Sequence, residues 1–212
     1  MGAARRRTRI VGIVAICVAA GVAFSAAVGG SILAAQAFSA SLRDVRIDTA
    51  PTLGYGPEQL ANACTIIVTG RDLGFGPRDQ TIAVMTAMGE SSLRNLAYGD
   101  AETSGVTNPD GSRTTSLGLF QQQDNWGTRA ERMDPSTAAT LFYRALAAHV
   151  PDRDTIEPTL VAHRVQINAD PQHYAGYWTS AARVVDALTG APDAAPLPAG
   201  VATCAEPSGA LG

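Results

Sequence analysis

Beyond residue 56 the apolar positions of the chain recur at helical spacing. Leu60, Cys64, Ile67 and Val68 fall on one stripe, and Gly56-Pro57-Glu58 supplies a helix start, because proline suits the first turn. The segment Gly70 to Gly76 interrupts that helix. Pro77 then opens a second one that carries Ile82, Met85 and Met88 inward. Asp134-Pro135 and Asp170-Pro171 each read as a cap followed by a first turn. The former predicts a helix with Ala138, Leu141, Phe142, Ala145 and Leu146 inside. The latter predicts one carrying Tyr174, Tyr177, Trp178, Ala181, Val184, Val185 and Leu188, stopped by Gly190. Pro158 opens a further helix with Leu160, Val161, Val165 and Ile167. Only Asp100 to Gln123 breaks the pattern. There Asn108-Pro109-Asp110-Gly111, flanked by serines and threonines, reads as the turn of a small hairpin or loop. The expectation is a mostly α domain with one β-like excursion.

The first forty residues follow a different rule. Four arginines in residues 1–9 precede a run, Ile10 to Ala40, whose only ionisable side chain is Cys17. Roughly 20 apolar residues span a bilayer, and arginines ahead of such a run stay cytoplasmic. The expected organisation is therefore a basic cytoplasmic N-terminus (1–9), a transmembrane signal anchor (10–37) and a stalk (38–56). A domain (57–190) and a Pro/Ala-rich tail (191–212) follow. Cleavage at the small-x-small site Ala35-Gln36-Ala37 is the alternative, and would release the domain. Either way the domain lies outside the cytoplasm.

Composition narrows the partners. A net charge of −3 and a charged fraction of 17%, with no basic patch, exclude nucleic acid. Export leaves Cys64 and Cys204 as an even pair in an oxidising compartment, which reads as a disulfide, two free thiols being the alternative. The cysteines and histidines show no metal-ligand spacing, so no metal is expected.

The chemistry centres on AMGESSLRNLAYGD, Ala87 to Asp100. A serine nucleophile fails here, because Gly89-Glu90-Ser91-Ser92-Leu93 lacks the last glycine of a nucleophile elbow and follows a helix rather than a strand. Glu90 sits at the C-terminal end of the second predicted helix. The negative end of the helix dipole and burial beside Met85 and Met88 both raise a carboxyl pKa there. A raised pKa is what a general acid needs, whereas a solvated helix end is the plain alternative.

SLGLFQQ, Ser116 to Gln122, changes the balance. Together with the GESS segment it resembles the paired motifs of the lytic transglycosylase and goose-type lysozyme superfamily. NLAYGD, WGT (Trp126 to Thr128), MDP (Met133 to Pro135), LFY (Leu141 to Tyr143) and AHRVQINADPQHYAGYW (Ala162 to Trp178) extend the likeness to a group of actinobacterial cell-wall-lytic domains, over roughly residues 57–188. The resemblance implies a lysozyme-like fold and peptidoglycan glycan strands as substrate, with no cofactor. It also implies cleavage of the MurNAc-GlcNAc β-1,4 bond to a 1,6-anhydro product. Glu90 then matches the catalytic acid/base, Ser91 its supporting serine, and Gly118, Leu119, Phe120 and Gln121 the second motif, with Gln121 on a sugar. Asn95, Tyr98, Asp100, Ser116, Trp126, Tyr174 and Tyr177 are further residues expected around the cleft as polar support or, together with Phe120, as stacking surfaces. The family's late alanine-tyrosine-asparagine motif is absent, and the insert between Asp100 and Ser116 departs from its shortest members. Two rivals stay open: hydrolysis with Asp100 as a second carboxylate, and a peptidoglycan-binding or assembly protein without turnover.

Overall fold

The computed structural model describes residues 53–204. The arginine cluster, the run 10–37 and most of the stalk lie outside the described residues, as do residues 205–212. Among the described residues no helix is long and apolar enough to cross a membrane.

Seven helices form in this stretch: α1 (Pro57–Asp72), α2 (Pro77–Ser91), α3 (Asp100–Thr103), α4 (Arg129–Met133), α5 (Pro135–His149), α6 (Pro158–Gln166) and α7 (Trp178–Thr189). Four of them start on a proline, which has no N–H to leave unpaired in a first turn. Asp134 caps α5 by accepting from the Thr137 N–H at 2.8 Å. The domain is mostly helical, with no named strand among the described residues.

α2 is the centre of the packing. Every residue from Asp79 to Met88 is buried, and α2 touches α1, α5, α6 and α7. A helix covered on all sides needs no single apolar stripe, so its threonines survive inside by donating to carbonyls one turn back, as Thr86 does to Ile82 at 2.8 Å. At its N-terminal end Asp79 takes both arms of Arg153, at 2.9 and 3.0 Å, and Arg153 lies over the Phe75 ring. Phe120, Phe142 and Tyr143 complete the aromatic part of the core.

Several expectations need correction. Ile167 is 79% exposed, not inward. α6 stops at Gln166, and the left-handed conformation of Ile167 (φ 55°) turns its side chain out. Asp170-Pro171 does not open a continuous helix. Its carboxylate closes a local turn onto the Gln172 N–H at 2.8 Å, a 3₁₀ turn follows at Ala175–Tyr177, and α7 starts only at Trp178. This break carries Tyr174 into the interior. Cys64 and Val68 are half-buried, because Ala63 and Ile66 take the inner face of α1. The expected hairpin is reduced to the isolated bridge Thr107–Arg113 around the Asn108–Gly111 turn, and the short helices α3 and α4 flank the irregular segment.

Cys64 and Cys204 are joined in a disulfide whose Cα atoms are 5.5 Å apart. The chain beyond α7 returns along the core through Ala194, Ala195, Leu197 and Val201, and the Cys204 N–H donates to the Leu188 carbonyl at 2.8 Å. Closing a 140-residue separation removes much freedom from the unfolded chain. Cys204→Ser is therefore expected to lower the unfolding free energy by about 2–5 kcal/mol. The urea midpoint should fall by the same amount when the wild type is reduced, and an unchanged midpoint would contradict this.

Candidate active site

Glu90 occupies the last turn of α2, where the chain must leave the helix without losing its carbonyls. Ser92 (φ 53°) and Leu93 (φ 62°) are both left-handed, a conformation costly for side chains other than glycine. Two amides of α1 hold this bend. Gln59 donates to the Ser92 carbonyl at 2.7 Å, and Asn62 to the Leu93 carbonyl at 2.8 Å. Ser91 is buried, with its hydroxyl 2.8 Å from the Leu119 carbonyl and 3.1 Å from that of Ala87. It thus ties the helix end to the facing loop.

That loop is a tight turn. Leu117 and Gln122 pair through both backbone groups, and Gly118 (φ 77°) donates to the Leu96 carbonyl at 2.7 Å. A Cβ on Gly118 would lie 2.2 Å from the Arg132 carbonyl oxygen, so only glycine fits. Leu119 and Phe120 are fully buried, and Phe120 stacks on Phe142 at 4.8 Å. Neither side chain can face a ligand, which corrects the expectation of Phe120 as a stacking surface. Gln121 spends its amide N–H groups on the carbonyls of Gly118 (3.1 Å) and Tyr98 (3.3 Å).

Glu90 is half-buried, keeping an edge to solvent while its carboxyl is closely surrounded. The Tyr174 hydroxyl donates to its Oε1, and the side-chain amide of Gln166 bonds it as well. Gln166 also donates to the Phe120 carbonyl at 2.9 Å, so one amide joins the acid to the facing loop. Burial is the main force on this carboxyl and pushes its pKa up to about 7; the nearby charge of Asp100 adds to the rise, and the bonds from Tyr174 and Gln166 oppose it. Gly89 makes the arrangement possible. A Cβ there would stand 2.8 Å from the Tyr174 ring. Such a carboxyl holds its proton near neutrality, yet can give it up to a partner on its open side.

The remaining predicted residues divide clearly. Tyr98 is 47% exposed, and Asp100 is exposed at the start of α3. Tyr177 is half-buried against Gly89, and Ser116 is half-buried with its carbonyl against Gly99. Tyr174 is buried and acts on Glu90, so it presents no ring face. Asn95 turns inward to donate to the Met133 carbonyl at 2.7 Å, and Trp126 packs on the core. Sequence reasoning missed Gln166, although it ends an apolar stripe as the one amide of α6. It also missed Arg132, a buried arginine. Among the described residues no three His, Cys, Asp or Glu side chains gather as a metal site requires. No protein-family model matches the chain, and no curated protein matches its sequence.

The raised pKa of Glu90 has a cost in stability. A carboxyl near 7 when folded and near 4.5 when unfolded contributes stability that is full below pH 4.5 and is lost as pH rises through 7. Glu90→Gln removes this dependence. Its stability relative to the wild type should rise by about 3 kcal/mol between those two pH values, at about 1.4 kcal/mol per pKa unit. Parallel stability curves for the two proteins would show that Glu90 is not desolvated.

Proposed function

We propose that the domain is lysozyme-like and cleaves the glycan strand of peptidoglycan as a lytic transglycosylase, with Glu90 as its single acid/base. The observation that carries this reading is the Glu90 carboxyl itself, held by Tyr174 and Gln166 and raised to about 7. Protonated Glu90 donates to the glycosidic oxygen between MurNAc and GlcNAc as the C1–O bond breaks. The carboxylate left behind then takes the proton of the sugar's own 6-hydroxyl as that oxygen bonds to C1. The product is a 1,6-anhydro ring, and no water is consumed.

Tyr98, exposed beside Gln121, and Tyr177, half-buried against Gly89, supply stacking surface for sugars. The Gly118–Gln121 turn forms the facing wall. Likeness of the GESS and SLGLFQQ segments to the lytic transglycosylase superfamily supports the same assignment. The arginines ahead of residues 10–37, together with the Cys64–Cys204 disulfide, support a domain outside the cytoplasmic membrane, anchored or released.

One observation favours a second reading. Asp100 is exposed and close enough for its charge to raise the Glu90 pKa, as a second carboxylate in a hydrolase would be.

Digestion of isolated cell wall by the full chain, with products read by mass spectrometry, separates these readings. Anhydro-muropeptides are expected, at a rate that falls as pH rises through about 7. Glu90→Gln should be slower by roughly 10²–10⁴-fold. Reducing-end products, lost in Asp100→Asn, would assign hydrolysis. Wall binding without any digestion would leave a binding protein.

A further inference from the structure

The segment that departs from the helical pattern builds a polar cavity, of about 280 Å³, between the region after α3 and α4. Three arginines reach it. Arg113 is already met by Glu102 at 2.8 Å. Arg132 is only 5% exposed, and its Nε and Nη1 donate to the carbonyls of Gly127 (3.0 Å), Thr115 (2.6 Å) and Gln122 (2.9 Å). Its Nη2 donates to no described residue. Among the described residues, no carboxylate lies within ion-pair distance of Arg132 or of Arg129, which is exposed at the rim. A buried guanidinium that meets only neutral carbonyls keeps a charge uncompensated, and such a charge is costly. Thr114 lines the same cavity, is 8% exposed, and has a hydroxyl with no partner. Asp124, the other acid at the cavity, is exposed and solvated.

We propose that this cavity is an oxyanion subsite that takes a carboxylate of the peptide stem carried by the glycan strand, with Arg132 and Arg129 as its charge partners and Thr114 as an added donor. A planar guanidinium matches a carboxylate through paired N–H groups, which a neutral sugar cannot exploit. The position fits a substituent of a strand bound at Glu90. Leu117 lines the cavity and opens the turn whose Leu119 carbonyl takes the hydroxyl of Ser91, the residue after Glu90, at 2.8 Å. The proposal rests on the reading of Glu90 as a peptidoglycan-cleaving acid, and it makes the enzyme selective for strands that keep their peptides.

The test uses Arg129→Gln and Thr114→Val, which leave the buried Arg132 in place. The full chain in detergent is assayed on strands with stems and on strands stripped of stems by an amidase. On stem-bearing strands kcat/KM should fall about tenfold in each variant, as loss of one charge-assisted or buried hydrogen bond implies, with no change on stripped strands. Equal losses on both substrates, or none on either, overturn the proposal. Calorimetry with muramyl dipeptide decides the subsite even if no strand is cleaved. Binding weakened about tenfold by Arg129→Gln upholds it while the reading of Glu90 falls, and binding that ignores both variants overturns it. Inorganic phosphate bound more tightly than the dipeptide, and lost in Arg129→Gln, would reassign the cavity to a phosphate-bearing polymer.

Discussion

The rest of the structure depends on one contact, the hydrogen bond from the Tyr174 hydroxyl to the Glu90 carboxyl at the end of a buried helix. α2 can run through the centre of the domain because its buried polar side chains are met: Thr81 and Thr86 bond their own backbone, Gln80 donates to the Phe75 carbonyl, and its other acid, Asp79, takes the guanidinium of Arg153. Glu90 is the exception, an acid placed where desolvation dominates its chemistry. Neutralising it completely would have been cheaper for stability. Instead, two neutral donors partly offset the burial, so the carboxyl rests near 7 rather than far above it. Gly89, the left-handed pair Ser92 and Leu93, and the late start of α7 all serve the same geometry. Each is locally unfavourable, and each lets Tyr174 or the helix end reach its place. Strain gathered around one titratable group is the pattern expected where function has been favoured over stability.

Much of this was legible in the residue order. Proline starts at 57, 77, 135 and 158 coincide with observed helix starts, because the physical cause acts within a single turn. Glu90 was marked by its position at a helix end and by the facing SLGLFQQ segment. What escaped was non-local. The bond between Glu90 and Tyr174 spans 84 residues, and nothing near Tyr174 in sequence distinguishes it from a core aromatic on a helix. Gln166 likewise gains its role from a loop 46 residues away. Ile167 shows the opposite error, since an apolar residue at the right spacing lies outside once the helix stops one position earlier.

The irregular stretch between α2 and α5 carries the most specific chemistry and the weakest sequence pattern. Gly118 is fixed by the Arg132 carbonyl, and Arg132 in turn spends two hydrogen bonds, on the Thr115 and Gln122 carbonyls, holding the ends of the loop that faces Glu90. Acid and arginine are thereby linked through one turn of backbone. A buried cation that organises a loop, and still keeps one edge of its guanidinium unused, couples the wall of the cleft to whatever anion approaches it. The cavity beside α4 and the acid on α2 are two faces of the same turn.

The central claim is that Glu90 holds a proton near neutrality while remaining able to release it. Carbon-13 NMR of side-chain carboxyls in glutamate-labelled protein measures this directly. One carboxyl should titrate near pH 7, should vanish in Glu90→Gln, and should move higher still in Tyr174→Phe, because that bond favours the ionised form. Titration of every glutamate close to the ordinary value of 4.5 would contradict the account.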